Sequence, residues 1–192
     1  MPSPRLHVGP DGWIAGGAAQ RSPSPNRDPR PEGTSVELLV IHNISLPPGE
    51  FGGTAIVELF GNCLDCTRHP FYADLVDLHV SAHFLIDRGG TITQFVSCAE
   101  RAWHAGASCF EGRARCNDFS IGVELEGTDH VPFEEAQYRE LARLTDALRD
   151  AYPLRAVRGH SDIASGRKTD PGPHFDWRRY AALAALPARF LP

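Results

Sequence analysis

The segment Gly159-His-Ser-Asp-Ile-Ala-Ser-Gly-Arg-Lys-Thr-Asp-Pro-Gly-Pro173 places His160, Lys168 and Asp170 within a short, turn-forming stretch. Loops of this kind, held by a rigid scaffold, are where chemistry is usually presented. Far upstream, His42 follows the aliphatic run Val36-Glu-Leu-Leu-Val-Ile41. Two neutral imidazoles and one carboxylate suit a zinc ion, and a three-ligand set of this type leaves the fourth position open for water, as catalytic zinc sites do. Lys168 would then stand beside the open position, where an ammonium can steady an oxyanion. Taken singly, each residue also has an ordinary reading: His42 as a loop-capping histidine, Asp170 as an Asp-Pro turn cap, Lys168 as a solvated loop lysine. The set carries the argument, and His83 and His104 remain rivals for the imidazole positions. The chain has no His-Glu-x-x-His helix, so a thermolysin-like arrangement is not supported.

Several other residues are candidates. In Ile121-Gly-Val-Glu-Leu-Glu126 the apolar residues alternate with Glu124 and Glu126, as on a strand with two unlike faces. Glu124 can take a proton from a metal-activated water; by itself it reads as a solvent-facing strand residue. Trp103-His-Ala-Gly106 fits a sugar or peptide pocket, or equally a core tryptophan with a buried histidine. Arg113 and Arg115 fall on one loop, where guanidinium groups can receive carboxylates in pairs or simply be solvated.

The elements that must position these groups follow from periodicity. Val36–Ile41 reads as a buried strand. Val80–Ile86 and Thr91–Val96, joined by Asp87-Arg-Gly-Gly90, read as a hairpin whose glycines supply positive φ. From Phe133 to Tyr152 the residues Leu141, Leu144, Leu148 and Tyr152 form one helical stripe, closed by Pro153. Short helices are expected near Ile56–Phe60 and Phe175–Leu186, and Cys63–Asp77 looks irregular. Interleaved strands and helices with one hairpin imply a single α/β domain, a mixed sheet flanked by helices. Residues 1–34, rich in Pro, Arg and Ser, read as an N-terminal arm packed on a domain of residues 35–192, with Trp13 as an anchor.

At 192 residues the chain is long enough for one domain with a real core. Its net charge of −5 argues against nucleic-acid binding. No apolar run approaches the roughly 20 residues of a membrane span, and no apolar leader is visible at the start, so a cytoplasmic protein with no membrane partner is expected. Five cysteines, an odd number, argue against a disulfide framework; Cys63-Leu-Asp-Cys66 has no second pair and reads as reduced, incidental thiols. Nothing in the sequence demands more than a monomer.

Several segments together resemble one family. Val40-Ile-His-Asn-Ile-Ser-Leu-Pro-Pro-Gly-Glu-Phe-Gly-Gly53, Val80-Ser-Ala-His83, Arg101-Ala-Trp-His-Ala-Gly106, Arg115-Cys-Asn-Asp-Phe-Ser-Ile-Gly122, Glu124-Leu-Glu-Gly-Thr128 and Arg167-Lys-Thr-Asp-Pro-Gly-Pro173 are similar to the AmpD family of 1,6-anhydro-N-acetylmuramyl-L-alanine amidases, from about Gly12 to Tyr180. That family belongs to the zinc amidase and peptidoglycan-recognition superfamily. The resemblance implies that fold, with hydrolysis of the amide between an anhydro-muramic acid and L-alanine in cytoplasmic cell-wall recycling. It implies zinc held by His42, His160 and Asp170, with Glu124 as the catalytic carboxylate in preference to Glu126, and with Lys168 assisting the transition state. It further implies that Asn43, Arg115 and Ala164 contact the anhydro-muropeptide substrate. The chain departs from the family at His79, where an arginine is usual, and at Ser161–Gly166. A binding-only muropeptide module and an extracytoplasmic amidase on intact murein are the alternative readings.

Overall fold

The computed structural model describes residues 5–192. The first four residues of the expected arm lie outside the described residues. In chain order the elements are β1 (Gln20–Arg21), β2 (Arg27–Pro29), β3 (Leu38–Ile44), α1 (Ala55–Phe60), β4 (Phe84–Ile86), β5 (Ile92–Gln94), β6 (Glu100–Ala102), β7 (Cys109–Phe110), β8 (Arg113–Ala114), β9 (Ser120–Glu126), α2 (Glu135–Ala151), β10 (Ala156–Gly159), α3 (His160–Ile163) and α4 (Trp177–Leu183). Short 3-10 turns cover Pro70–Leu75, Cys116–Asp118 and Ala188–Phe190.

Six strands form one mixed sheet in the order β1-β5-β4-β9-β3-β10. Only the β4–β5 hairpin is antiparallel; the other neighbours run parallel. The mixed α/β architecture expected from the sequence is therefore present. Gly90, at φ +89°, provides the left-handed step that closes the hairpin turn.

The centre of the sheet is β3 paired with β9, in a register that sets His42 beside Glu124. The expected strand ending before His42 is corrected here: β3 continues through His42 to Ile44, because seven consecutive residues find partners on β9. Leu39 and Ile41 of β3 and Ile121, Val123 and Leu125 of β9 pack into one apolar cluster with Leu141, Leu144 and Leu148 of α2. Helix α2 sits over this face because its apolar residues repeat at helical spacing. Its start is fixed by Glu134 and Gln137, whose side chains cap each other's backbone. The Gln137 amide also donates to the carbonyls of Ile86 and Glu126, tying the helix to two strand ends.

The N-terminal arm is woven into this body. Leu6, Val8, Ile14 and Ala19 join the same cluster, β1 pairs with β5 and β2 with β6. Arg21 lies over the Trp13 ring. Arg30 is half-buried and donates to the carbonyls of Cys98, Asn117, Asp118 and Ser120, bridging the loops behind β9.

Candidate metal centre and cleft

His42 projects from the middle of β3 and His160 from the junction of β10 with α3. The parallel pairing of β3 with β10 brings the two strands side by side. Asp170 comes from the following loop, whose return is pinned by the Ser161 amide donating to the Asp170 carbonyl (2.9 Å). Gly159 makes that return sterically possible: a Cβ there would stand 2.7 Å from Pro171 Cδ. The result is a small triangle. His42 Nδ1 is 3.0 Å from His160 Nδ1 and 3.0 Å from Asp170 Oδ2, and His160 Nδ1 is 3.1 Å from the same oxygen. These three residues form a group able to hold a metal ion. Both imidazoles are buried and the carboxylate is partly so.

Each ring also uses its other nitrogen. His160 Nε2 faces the Ala105 carbonyl at 3.0 Å. A carbonyl only accepts, so His160 carries its proton on Nε2 and presents a lone pair at Nδ1. His42 Nε2 is 2.9 Å from His104 Nδ1, and His104 Nε2 is 3.1 Å from Ser120 Oγ. The loop Trp103–Gly106 thus backs both imidazoles. Burial, together with the neighbouring imidazole of His42, holds His104 well below the ordinary histidine range. His42 is also lowered by burial, with Asp170 pulling against it. Burial would raise the Asp170 carboxyl, but its contacts with His160 and His42 outweigh this and keep it low, so it is a carboxylate at neutral pH.

Glu124 stands next to His42 on β9 and is buried. The reading of Glu124 as a solvent-facing strand residue is therefore corrected: this face of the sheet is covered by loops. Its Oε2 is buried and has no hydrogen-bond partner. An orphaned buried carboxylate oxygen is costly and marks a place built for a guest. Burial first, and Asp170 second, push the Glu124 carboxyl well above the ordinary value, while Lys168 opposes them. Glu126 is different: one of its oxygens accepts from the Gly52 amide and the other from the Arg88 amide, so it anchors loops.

His42, His160, Asp170 and Glu124 open onto a cleft of about 390 Å³ whose walls include Phe71, Leu75, Leu78, Val80, Trp103 and Lys168. A more polar groove of about 630 Å³ adjoins it, sharing Asn43, Lys168 and Asp170. A larger hollow of about 880 Å³ beside α2 is lined by neither histidine nor cysteine, so size does not mark the chemistry here.

Of the residues expected at the site, His42, His160, Asp170, Glu124, Lys168 and Asn43 all line the cleft. Asn43 spends both amide protons, on Asp129 Oδ1 (2.7 Å) and the Pro171 carbonyl (3.0 Å). Only its oxygen is left to meet a ligand. Arg115 and Ala164 are outside this lining. Arg115 has a left-handed backbone (φ +62°) and a side chain 71% exposed, paired with Asp118. Ala164 accepts from the Arg167 and Lys168 amides and shapes the turn that carries Lys168. Of the rival histidines, neither is in the triangle. His83 accepts from the Gly122 amide and faces the Glu100 carbonyl, so both its nitrogens are spent structurally. His104 supports His42. Its role escaped the sequence reading; the visible signal was Ser120-Ile-Gly-Val-Glu124, where small residues on Glu124's face leave room for a ring. His79 is exposed and outside the cleft lining.

The chain matches the Amidase_2 family, N-acetylmuramoyl-L-alanine amidase, over residues 32–173. It is 55% identical over 176 residues to the 1,6-anhydro-N-acetylmuramyl-L-alanine amidase AmpD of Escherichia coli (strain K12), covering 91% of this chain and 95% of that protein. Its identity to the AmpD of Haemophilus influenzae is 50% over 160 residues, covering 82% and 87%. A crystal structure of a Se-Met AmpD derivative superposes with a TM-score of 0.87 at 54% identity, covering 90% of this chain and 97% of that one. The E. coli amidase AmiD, in complex with the substrate anhydro-N-acetylmuramic acid-L-Ala-D-gamma-Glu-L-Lys, superposes with a TM-score of 0.57 at 31% identity, covering 80% and 60%.

Proposed function

The chain belongs to the Amidase_2 family of N-acetylmuramoyl-L-alanine amidases, and we propose that it hydrolyses the amide between 1,6-anhydro-N-acetylmuramic acid and the L-alanine of the stem peptide, with zinc as its metal. The observation that carries this reading is the orphaned, buried oxygen of Glu124 beside three converging donors. The donor set fits zinc. Ligand atoms about 2.0–2.1 Å from a tetrahedral zinc stand about 3.3 Å apart, close to the 3.0, 3.0 and 3.1 Å between these three. Two imidazole nitrogens and one carboxylate oxygen are also donors that suit this ion.

Zinc in this place supplies a Lewis acid that polarises the scissile carbonyl and acidifies a water. The remaining work falls to the chain. Glu124, desolvated and so more basic than an ordinary carboxylate, accepts the water's proton and returns it to the departing alanine nitrogen. Lys168, on the rim shared by cleft and groove, puts its ammonium against the charge that grows on the carbonyl oxygen. The Asn43 oxygen receives an N–H of the substrate. Arg115 reaches for a stem-peptide carboxylate, and Ala164, whose backbone N–H and carbonyl are both spent within its own turn, meets the substrate only through the Lys168 that this turn carries. The apolar wall from Phe71 to Val80 excludes water on one side.

No helix among the described residues is long and apolar enough to cross a membrane. Five unpaired cysteines support a reducing compartment, in keeping with a cytoplasmic recycling role. A binding-only module needs neither a complete ligand set nor a desolvated base. The test is mass spectrometry of an anhydro-muropeptide incubated with the protein. The expected products are the anhydro-sugar and the free stem peptide, formed without chelator and absent with it. An unchanged substrate in the metal-replete reaction would overturn the reading.

A further inference from the structure

An imidazole ligates through Nδ1 only when its proton is on Nε2. For His160 the Ala105 carbonyl makes that choice. For His42 the Nε2 neighbour is another imidazole, His104, which can either donate or accept. The choice must come from further away.

Ser120 makes it. Its Oγ is 2.6 Å from the Cys116 carbonyl, which can only accept. A serine has one hydroxyl proton, and here it is committed to that carbonyl. The Oγ must therefore accept from His104 Nε2. His104 is left with a lone pair on Nδ1, and that lone pair faces His42 Nε2. His42 in turn donates from Nε2 and turns the lone pair of Nδ1 toward His160 and Asp170. We infer that His104 and Ser120 are positioning residues: a one-way relay, His42 to His104 to Ser120 to the Cys116 carbonyl, that fixes His42 in its metal-binding tautomer before any ion arrives. The opposite polarity would aim a proton from His42 Nδ1 at the cation.

The relay is built into β9. Ser120, Gly122 and Glu124 alternate along one face of the strand. A Cβ on Gly122 would stand 2.5 Å from His104 Cγ, so only glycine lets the ring lie flat there. Hydroxyl, ring space and the proposed base thus occupy successive positions on one strand face. Partners of this kind commonly change metal affinity by about 10–100-fold when removed.

The inference rests on the metal reading above, and the experiment separates the two. Zinc affinity is measured by chelator competition, with Zn²⁺ alone as the probe, for the wild type, Ser120→Ala and His104→Leu. The tautomers of His42 and His104 are read from long-range 1H–15N spectra of metal-free, 15N-histidine-labelled protein. In the wild type both rings carry the proton on Nε2. In Ser120→Ala a population of His42 protonated at Nδ1 emerges, and zinc binding weakens about 10–100-fold in both variants. The wild-type spectra need no variant, so a misfolded Ser120→Ala still leaves the relay testable. Zinc that fails to bind the wild type overturns the metal reading. Zinc that binds all three proteins equally, or a wild-type His42 with its proton on Nδ1, overturns the relay alone.

Discussion

On β3 and β9 the odd and even residues live in different worlds. Leu39, Ile41, Ile121, Val123 and Leu125 face α2 and are buried against carbon. On the opposite face of the same strands, His42, Ser120, Glu124 and Glu126 are just as buried but against polar groups. One face is held by close packing, which tolerates volume-conserving change. The other packs Leu38 and Val40 into a smaller apolar cluster at one end, but its polar residues are held by hydrogen bonds whose direction matters, and one of their oxygens is left without a partner. Stability is concentrated on the first and chemistry on the second, so mutations should separate the two.

The largest effect is expected on the polar face. Glu124→Gln should lower kcat by about 10²–10⁴-fold while metal content stays at the wild-type level. It should also stabilise the metal-free fold at alkaline pH. A carboxyl raised in the folded state contributes its stability at low pH and loses it as pH rises through the raised value, and glutamine removes that loss. Thermal melts of the two metal-free proteins across pH would show the gap widening upward.

On the apolar face, Leu141→Ala should cost about 2–5 kcal/mol of stability, because Leu141 is wholly buried under the sheet. The kcat of the molecules that remain folded should not move. Urea unfolding paired with active-site titration checks both halves; a large fall in kcat would break the division between faces. Lys168→Ala should slow turnover by about 10²–10³-fold, the ~2.7–4 kcal/mol of a lost oxyanion donor, with zinc retained.

A further polar-face prediction concerns acid. Burial first, and Arg30 second, bring His83 down to about 3, whereas an unfolded chain protonates its histidine near 6.5. The unfolded state therefore binds the extra proton between these values. Stability that is full above about 6.5 should drain away as the pH falls toward 3, by on the order of 4 kcal/mol. Denaturant midpoints against pH should be flatter over that window for His83→Gln than for the wild type. The smallest effect should be that of Arg115→Ala. Its exposed guanidinium is worth no more than ~1 kcal/mol, a rise in KM of up to about five-fold with kcat kept.

Legibility in the sequence differs between the faces for the same reason. The apolar side of α2 was plain from Leu141, Leu144 and Leu148, since helical spacing is a local signal, and the helix runs only slightly short of the expected Phe133–Tyr152. The alternation in Ile121–Glu126 was equally visible, but what covers the glutamate side was not. The loops over Glu124 are distant in the chain, and polar alternation reads alike whether the far side meets water or a buried site. His42 was recognised yet set at a strand end, because the pairing that carries β3 on to Ile44 belongs to β9. The His104 support was hidden in the same way: its partners, His42 and Ser120, lie on separate strands. Residue chemistry grouped His42, His160 and Asp170, resemblance to a family favoured them over His83 and His104, and geometry supplied their hydrogen bonds.

The central claim is that His42, His160 and Asp170 jointly hold one zinc ion. Elemental analysis of purified protein, alongside His42→Ala, His160→Ala and Asp170→Ala, tests it most directly. The prediction is close to one zinc per wild-type chain and a near-complete loss in each variant with the fold intact by circular dichroism. Zinc absent from the wild type after incubation with the ion, or retained at full occupancy when any one of the three is removed, would contradict it.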